Sequence, residues 1–209
     1  MPELRVARSE LILGAPGGGQ AARAEAIAAR WLSLSSGHEA IHVACAQAWD
    51  GELRERVARY RQGRAGQEAR LRTVEEPLAL AHALGTCSRP GTLVVVDCLT
   101  LWLTVLMMRA AEQEDSSLAN PGGTSHLSLP LRGRAGEGAP SATIADAIAA
   151  CAGPLVLIGH TAAAGQLLPG REARQLAETL GRLDRQAAVA CERVTLMSRG
   201  LAMVLKGAA

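Results

Sequence analysis

The chain has 209 residues, 48% of them hydrophobic and 20% charged, enough for one domain with a substantial core. A net charge of +2, with the signs interspersed, gives no electrostatic case for nucleic acid, and no apolar run approaches the roughly 20 residues of a membrane span. Aromatic content is only 2% and Phe is absent, so Leu, Val, Ile and Ala must build the core.

In chain order, the N-terminus "MPELRVARSE" lacks the apolar stretch of a signal peptide. "ELILGA" (10–15) is a short strand that enters a glycine-rich loop, and a helix follows over 20–33. "AIHVAC" (40–45) is a second strand, followed by helical patterns at 50–62 and 76–84. "TLVVVD" (92–97) is continuously apolar up to its last residue, as a strand buried on both faces should be, and a helix over 99–112 follows it. Residues 113–141 are dominated by Gly, Ser and Pro and read as a mobile insertion. A helix at 143–151, the strand "PLVLIG" (154–159) and a helix at 171–190 come next, and "RVTLMSRGLAMVLK" closes the chain as a β-hairpin. Strands alternating with helices predict an α/β fold: a mainly parallel sheet of P-loop type with helices on both faces, in one domain over 1–209. Five scattered cysteines, none in C-x-x-C, read as buried free thiols in a reducing compartment, and a soluble cytoplasmic protein is expected.

The loop has the spacing G-x-x-x-x-G-K-[ST] in its glycines, Gly14 and Gly19, but Gln20 stands at the Lys position and Ala21 at the Ser/Thr position. Of the 22 basic residues only Lys206 is lysine, and a bias toward arginine does not explain Gln at position 20. The segment Gly14-Ala15-Pro16-Gly17-Gly18-Gly19 still presents backbone N–H groups at a helix start, where an anion is favoured. It reads equally as a strand-to-helix turn that needs glycines for positive φ. Asp97 fits a Walker-B carboxylate at the sheet's C-terminal edge, and also an N-cap for the helix after it. Arg23, one turn beyond Gln20, is read as a solvated helix charge, with a reach back toward a phosphate as the alternative. "HEAIH" (38–42) matches the zinc-protease pattern, but in a strand the two histidines lie about 13 Å apart and cannot share a metal. His160 ends its strand at an active-edge position.

Together these pieces resemble the adenosylcobinamide kinase / adenosylcobinamide-phosphate guanylyltransferase family. That family carries V-D-C-L-T-L-W-L where this chain has Val96 to Leu103, identical throughout. Its A-T-A-Q is similar to Ala44-Cys45-Ala46-Gln47, its H-R-x-x-R to Tyr60-Arg61-Gln62-Gly63-Arg64, and its W-x-T-x-E-x-P to the stretch Leu71 to Pro77, with Glu75 at the acidic position. The likeness covers nearly the whole chain outside 113–141. It implies a P-loop α/β enzyme of cobalamin biosynthesis, usually a trimer. Such an enzyme phosphorylates adenosylcobinamide with ATP or GTP, then transfers GMP from GTP to the phosphate through a guanylylated histidine, with Mg²⁺ assisting. By that resemblance the nucleotide-binding set is Gly14, Ala15, Pro16, Gly17, Gly18, Gly19, Gln20, Ala21, Cys45, Ala46, Gln47, Arg61, Arg64, Glu75 and Asp97, with Asp97 also toward Mg²⁺.

The chain departs from the family where the chemistry lies. The P-loop Lys and Ser are Gln20 and Ala21, and the guanylylated His is Tyr60. The family's N-E-V-G-x-G-I-V-P is "TAAAGQLLP" (161–169), and its G-x-x-N-Q is Gly181-Arg182-Leu183-Asp184-Arg185. The resemblance therefore implies either a transferase with impaired catalysis or a non-catalytic paralogue that binds nucleotide, corrinoid or a partner chain.

Overall fold

A computed structural model of the chain describes residues 4–45, 71–76, 78–118, 143–161 and 170–208. Its elements in chain order are β1 (Ser9–Gly14), α1 (Gln20–Leu34), β2 (Glu39–Ala44), β3 (Leu71–Glu75), α2 (Leu80–Cys87), β4 (Thr92–Asp97), α3 (Leu99–Leu118), α4 (Ile144–Ala150), β5 (Leu155–His160), α5 (Gly170–Ala190), β6 (Arg193–Ser198) and β7 (Leu201–Lys206). The strands form one sheet of seven in the order β3-β2-β4-β5-β1-β6-β7. All neighbours are parallel except β6 and β7, which form the expected antiparallel hairpin.

Alternation along the strands divides the core in two, because successive side chains of a strand point to opposite faces. Leu11, Val94, Val96, Leu155 and Leu157 face α2, α3, α4 and α5. Ile12, Leu93, Val95, Val156 and Ile158 face the other way, against Ala24, Ile27 and Ala28 of α1. Helices cover both faces, as the strand–helix alternation predicts. All five cysteines are buried and unbridged. Among the described residues, no helix is long and apolar enough to cross a membrane.

Three elements differ from the sequence reading. β3 was not expected; Arg72, Thr73 and Glu75 are exposed on this outermost strand, so it carries almost no apolar signature. α2 begins at Leu80 rather than 76 because the Glu76 carboxylate accepts the N–H groups of Leu78 (3.0 Å) and Ala79 (2.8 Å), which holds that stretch in a turn. α3 runs on to Leu118, six residues past its expected end at 112. The helix expected at 50–62 and positions 119–141 of the expected insertion lie outside the described residues.

Two devices close the fold at its ends. Thr143 and Asp146 make a reciprocal cap on α4, with Asp146 N–H donating to Thr143 Oγ1 (3.2 Å) and Thr143 N–H to Asp146 Oδ2 (2.8 Å). The backbone N–H of Thr143 holds the Asp146 carboxyl below its usual value. Lys206, the chain's single lysine, donates to the carbonyls of Ala188 (3.0 Å), Val189 (2.8 Å) and Cys191 (2.6 Å) at the end of α5. Three converging carbonyls suit a compact ammonium with three donors better than a planar guanidinium.

Candidate functional site: the C-terminal edge of the sheet

Six parallel strands end on one edge, where α/β sheets bind their ligands. β1 delivers Gly14 into the glycine loop there. β2 delivers Cys45, β3 Glu75, β4 Asp97, β5 His160 and β6 Ser198.

The loop needs its glycines. A Cβ on Gly14 would stand 2.6 Å from the carbonyl oxygen of Met197, and Gly17 and Gly19 have φ of 75° and 105°. Gly18 N–H closes the loop onto Ala15 O at 2.8 Å. Gly19 is the N-cap of α1. No side chain caps that helix and no acidic residue stands in its first turn, so its positive pole is left for another anion.

Gln20 is 2% exposed, and its Nε2 donates to Ala15 O at 2.9 Å. The side chain at the Lys position is thus turned back onto the loop as a neutral brace. Ala21 brings no oxygen. Arg23 fits neither expectation. Its Nε lies 2.7 Å from Oε1 of Glu10, a residue 1% exposed near the start of β1, at the opposite end of that strand from the loop. Thr195 Oγ1 donates to the same oxygen at 2.8 Å, so Arg23 ties α1 to β1 and β6.

Asp97 ends β4, and β5 lies between β4 and β1. About 10 Å of sheet width, two strand spacings, therefore separates Asp97 from the base of the loop. Its carboxylate faces His42 Nε2 at 3.5 Å. The first α3 hydrogen bond runs from Trp102 N–H to Cys98 O, which makes Cys98, and not Asp97, the N-cap. Cys45 is fully buried beside it, its N–H on Asp97 O at 3.1 Å. Burial, then the nearby Cys98, Asp97 and Glu76, push the Cys45 thiol well above its usual pKa, so it is an inert neighbour and not a nucleophile. Of the two histidines of "HEAIH", His38 lies ahead of β2 and stacks on Trp31 with ring centroids 3.7 Å apart, while His42 sits inside β2 and faces Asp97.

Two further residues stand at this edge: His160, read from the sequence as an active-edge residue, and Asp184, which carried little signal there. His160 is the strand partner of Gly14, and its N–H donates to Thr100 Oγ1 at 2.9 Å while Thr161 N–H reaches Gly14 O at 3.0 Å. Asp184 of α5 lies under the end of β5. A Cβ on Gly159 would be 3.3 Å from its Oδ1, which is buried without a hydrogen-bond partner. Burial raises the Asp184 carboxyl from 3.8 to about 6. The helical spacing from Leu176 and Leu180 puts position 184 on the inward stripe, the one clue available. Of the other expected site residues, Glu75 is exposed at the end of β3; Ala46, Gln47, Tyr60, Arg61 and Arg64 lie outside the described residues.

Residues 10–205 match the family model described as cobinamide kinase / cobinamide phosphate guanyltransferase. The chain belongs to that family. It is 33% identical to the bifunctional adenosylcobalamin biosynthesis protein CobP of Pseudomonas aeruginosa, over 95% of this chain and 97% of that one. It is 26% identical to the bifunctional adenosylcobalamin biosynthesis protein CobU of Escherichia coli, over 94% and 98% respectively. Membership accounts for the glycine loop at the end of β1 and for Asp97 at the end of β4. It leaves the polar brace at Gln20 as a feature in which this member departs from the P-loop pattern.

Proposed function

We propose that this chain is a nucleotide-binding, cytoplasmic member of the cobalamin-biosynthesis family. In this reading it acts on adenosylcobinamide or its phosphate with GTP or ATP, and its transfer steps are impaired at Gln20, Ala21 and Tyr60. The observation that carries this reading is the Gln20 amide held on Ala15 O inside an otherwise intact glycine loop. The loop and the uncapped start of α1 support phosphate binding. A Lys at position 20 would add a full charge at the β- and γ-phosphates, and charge-assisted hydrogen bonds are roughly twice as strong as neutral ones. Losing about 3 kcal/mol of transition-state stabilisation slows a reaction roughly a hundredfold.

The remaining substitutions point the same way. The donor set does not fit Mg²⁺ in the P-loop manner, since Ala21 has no oxygen and the Asp97 carboxylate is turned to His42. A phenol, with a pKa near 10 against about 6.5 for imidazole, is a poor replacement for a guanylylated histidine at position 60. A homo-oligomer belongs to this reading, a trimer by family. It is supported by Leu201, Met203 and Leu205, which alternate along the exposed edge strand β7 and leave one apolar face in solvent. The same strip favours the second reading, a non-catalytic paralogue that binds a partner chain.

Incubation with α-labelled GTP, followed by denaturation and mass measurement, tests the proposal. No GMP adduct is expected on the unmodified chain, and Tyr60→His is expected to be necessary for one. A stoichiometric adduct on the unmodified chain would overturn the reading, and its mapped position would distinguish Tyr60 from His160.

A further inference from the structure

A cavity of about 400 Å³ opens between the glycine loop and the end of the C-terminal hairpin, lined by Ala15, Pro16, Gly17 and Gly18 on one side and by Leu196, Met197, Ser198 and Arg199 on the other. The hairpin turn is fixed to the loop. Gly200 N–H donates to Gly18 O at 3.0 Å, and a Cβ on Gly19 would come within 3.2 Å of Gly200 Cα. Arg199 and Gly200 form the two-residue turn between β6 and β7, with φ of 51° and 80°. Positive φ at both positions favours Asn-Gly, Asp-Gly or Gly-Gly, so turn chemistry does not select an arginine here. The chain's bias toward arginine explains Arg in place of Lys, but not a basic residue at a turn position suited to Asn.

The loop's own cation is missing, and other arginines close in sequence or sheet position are committed elsewhere. Arg23 is held by Glu10, and Arg193 lies 4.0 Å from Glu10 Oε2 and donates to Arg5 O at 3.3 Å. Arg199 is exposed at the cavity wall. We infer that Arg199 binds the phosphate chain of a nucleoside triphosphate held by the loop Gly14–Gln20 and supplies from the hairpin the positive charge that Gln20 does not. This rests on the nucleotide-binding reading above.

Calorimetric titration of the full chain with GTP, GDP, GMP and guanosine, at low and high salt, tests it in Arg199→Asn and Arg199→Lys. Asn suits the turn, so Arg199→Asn should keep or raise the melting temperature while removing the charge. It should weaken GTP binding about tenfold, as expected for one charge-assisted phosphate contact. GMP should be affected less and guanosine not at all, with a flatter salt dependence. Arg199→Lys should restore most of the affinity. If the unmodified chain binds GTP and Arg199→Asn binds it equally well, the role of Arg199 is refuted and the nucleotide reading stands. An equal loss for guanosine refutes a phosphate contact. If the unmodified chain binds no nucleotide, both inferences are overturned.

Discussion

Replacing Asp184 by Asn should stabilise the protein at neutral pH and leave it unchanged in acid. The carboxyl is raised from 3.8 to about 6 by burial alone, and its Oδ1 has no hydrogen-bond partner. The shift is upward, so the unfolded chain loses this proton more readily than the folded one. The cost of burying the charge is absent below about pH 4, grows through the interval up to about pH 6, and is complete above it. A shift of about two units corresponds to about 3 kcal/mol at 1.36 kcal/mol per unit. Asp184 is only partly enclosed, and solvent reduces the effect to roughly 1–2 kcal/mol. For a chain of this size that is about 2–8 °C in melting temperature. Asn keeps the shape of the protonated acid, and it is also the residue of the family's G-x-x-N-Q pattern at this position. Urea denaturation of both proteins at pH 4 and pH 7.5 measures the difference. The variant should gain stability at pH 7.5 with an unchanged denaturant slope, and none at pH 4. An equal effect at both pH values would show that ionisation of this carboxyl does not set the difference, and a loss at pH 7.5 would show that the carboxylate has a stabilising partner.

Lys206→Met should lower stability by about 1 kcal/mol, because it removes a cation and three donors from the carbonyl end of α5 while keeping the apolar stem; the urea midpoint reads it, and an unchanged midpoint would mean that water replaces the ammonium without loss. Gln20→Lys combined with Ala21→Ser should tighten Mg-nucleotide binding about tenfold or more in calorimetry, with little gain when Mg²⁺ is chelated. Equal affinity with and without the two changes would show that the loop does not hold the phosphates.

The strands that were legible are those buried from both sides. β1, β2, β4 and β5 carry runs such as Leu11-Ile12 and Val94-Val95-Val96, whose alternate residues enter two different cores, so their boundaries fall within one residue of the sequence reading. β3 was illegible for the opposite reason: an edge strand with Arg72 and Thr73 in solvent needs no apolar pattern, only a neighbour to pair with. In the site, glycine spacing identified the loop because steric demands at Gly14, Gly17 and Gly19 can be met by few residues. Strand order cannot be read that way. That β5 separates β1 from β4, and so puts His160 and not Asp97 beside Gly14, depends on long-range pairings, of Ser9 with Leu155 and of Val94 with Leu155. Asp184 was masked by its neighbours, since between Arg182 and Arg185 a single acid looks like one more solvated charge.

Under the proposed reading, Gln20 lets the site change its chemistry without losing its fold. The position has two separable duties. One is to place a side-chain donor on the loop carbonyl of Ala15, and an amide does that at 2.9 Å as a neutral hydrogen bond. The other is to bring a unit of charge to a transferring phosphate, and an amide cannot. Selection on stability acts on the first duty alone, and the second registers only in turnover. On that reading the chain keeps the strand, the glycines, the tight loop and the helix start of its family, and only the transfer step is impaired. The same separation predicts that restoring Lys at position 20 changes stability little and nucleotide chemistry much.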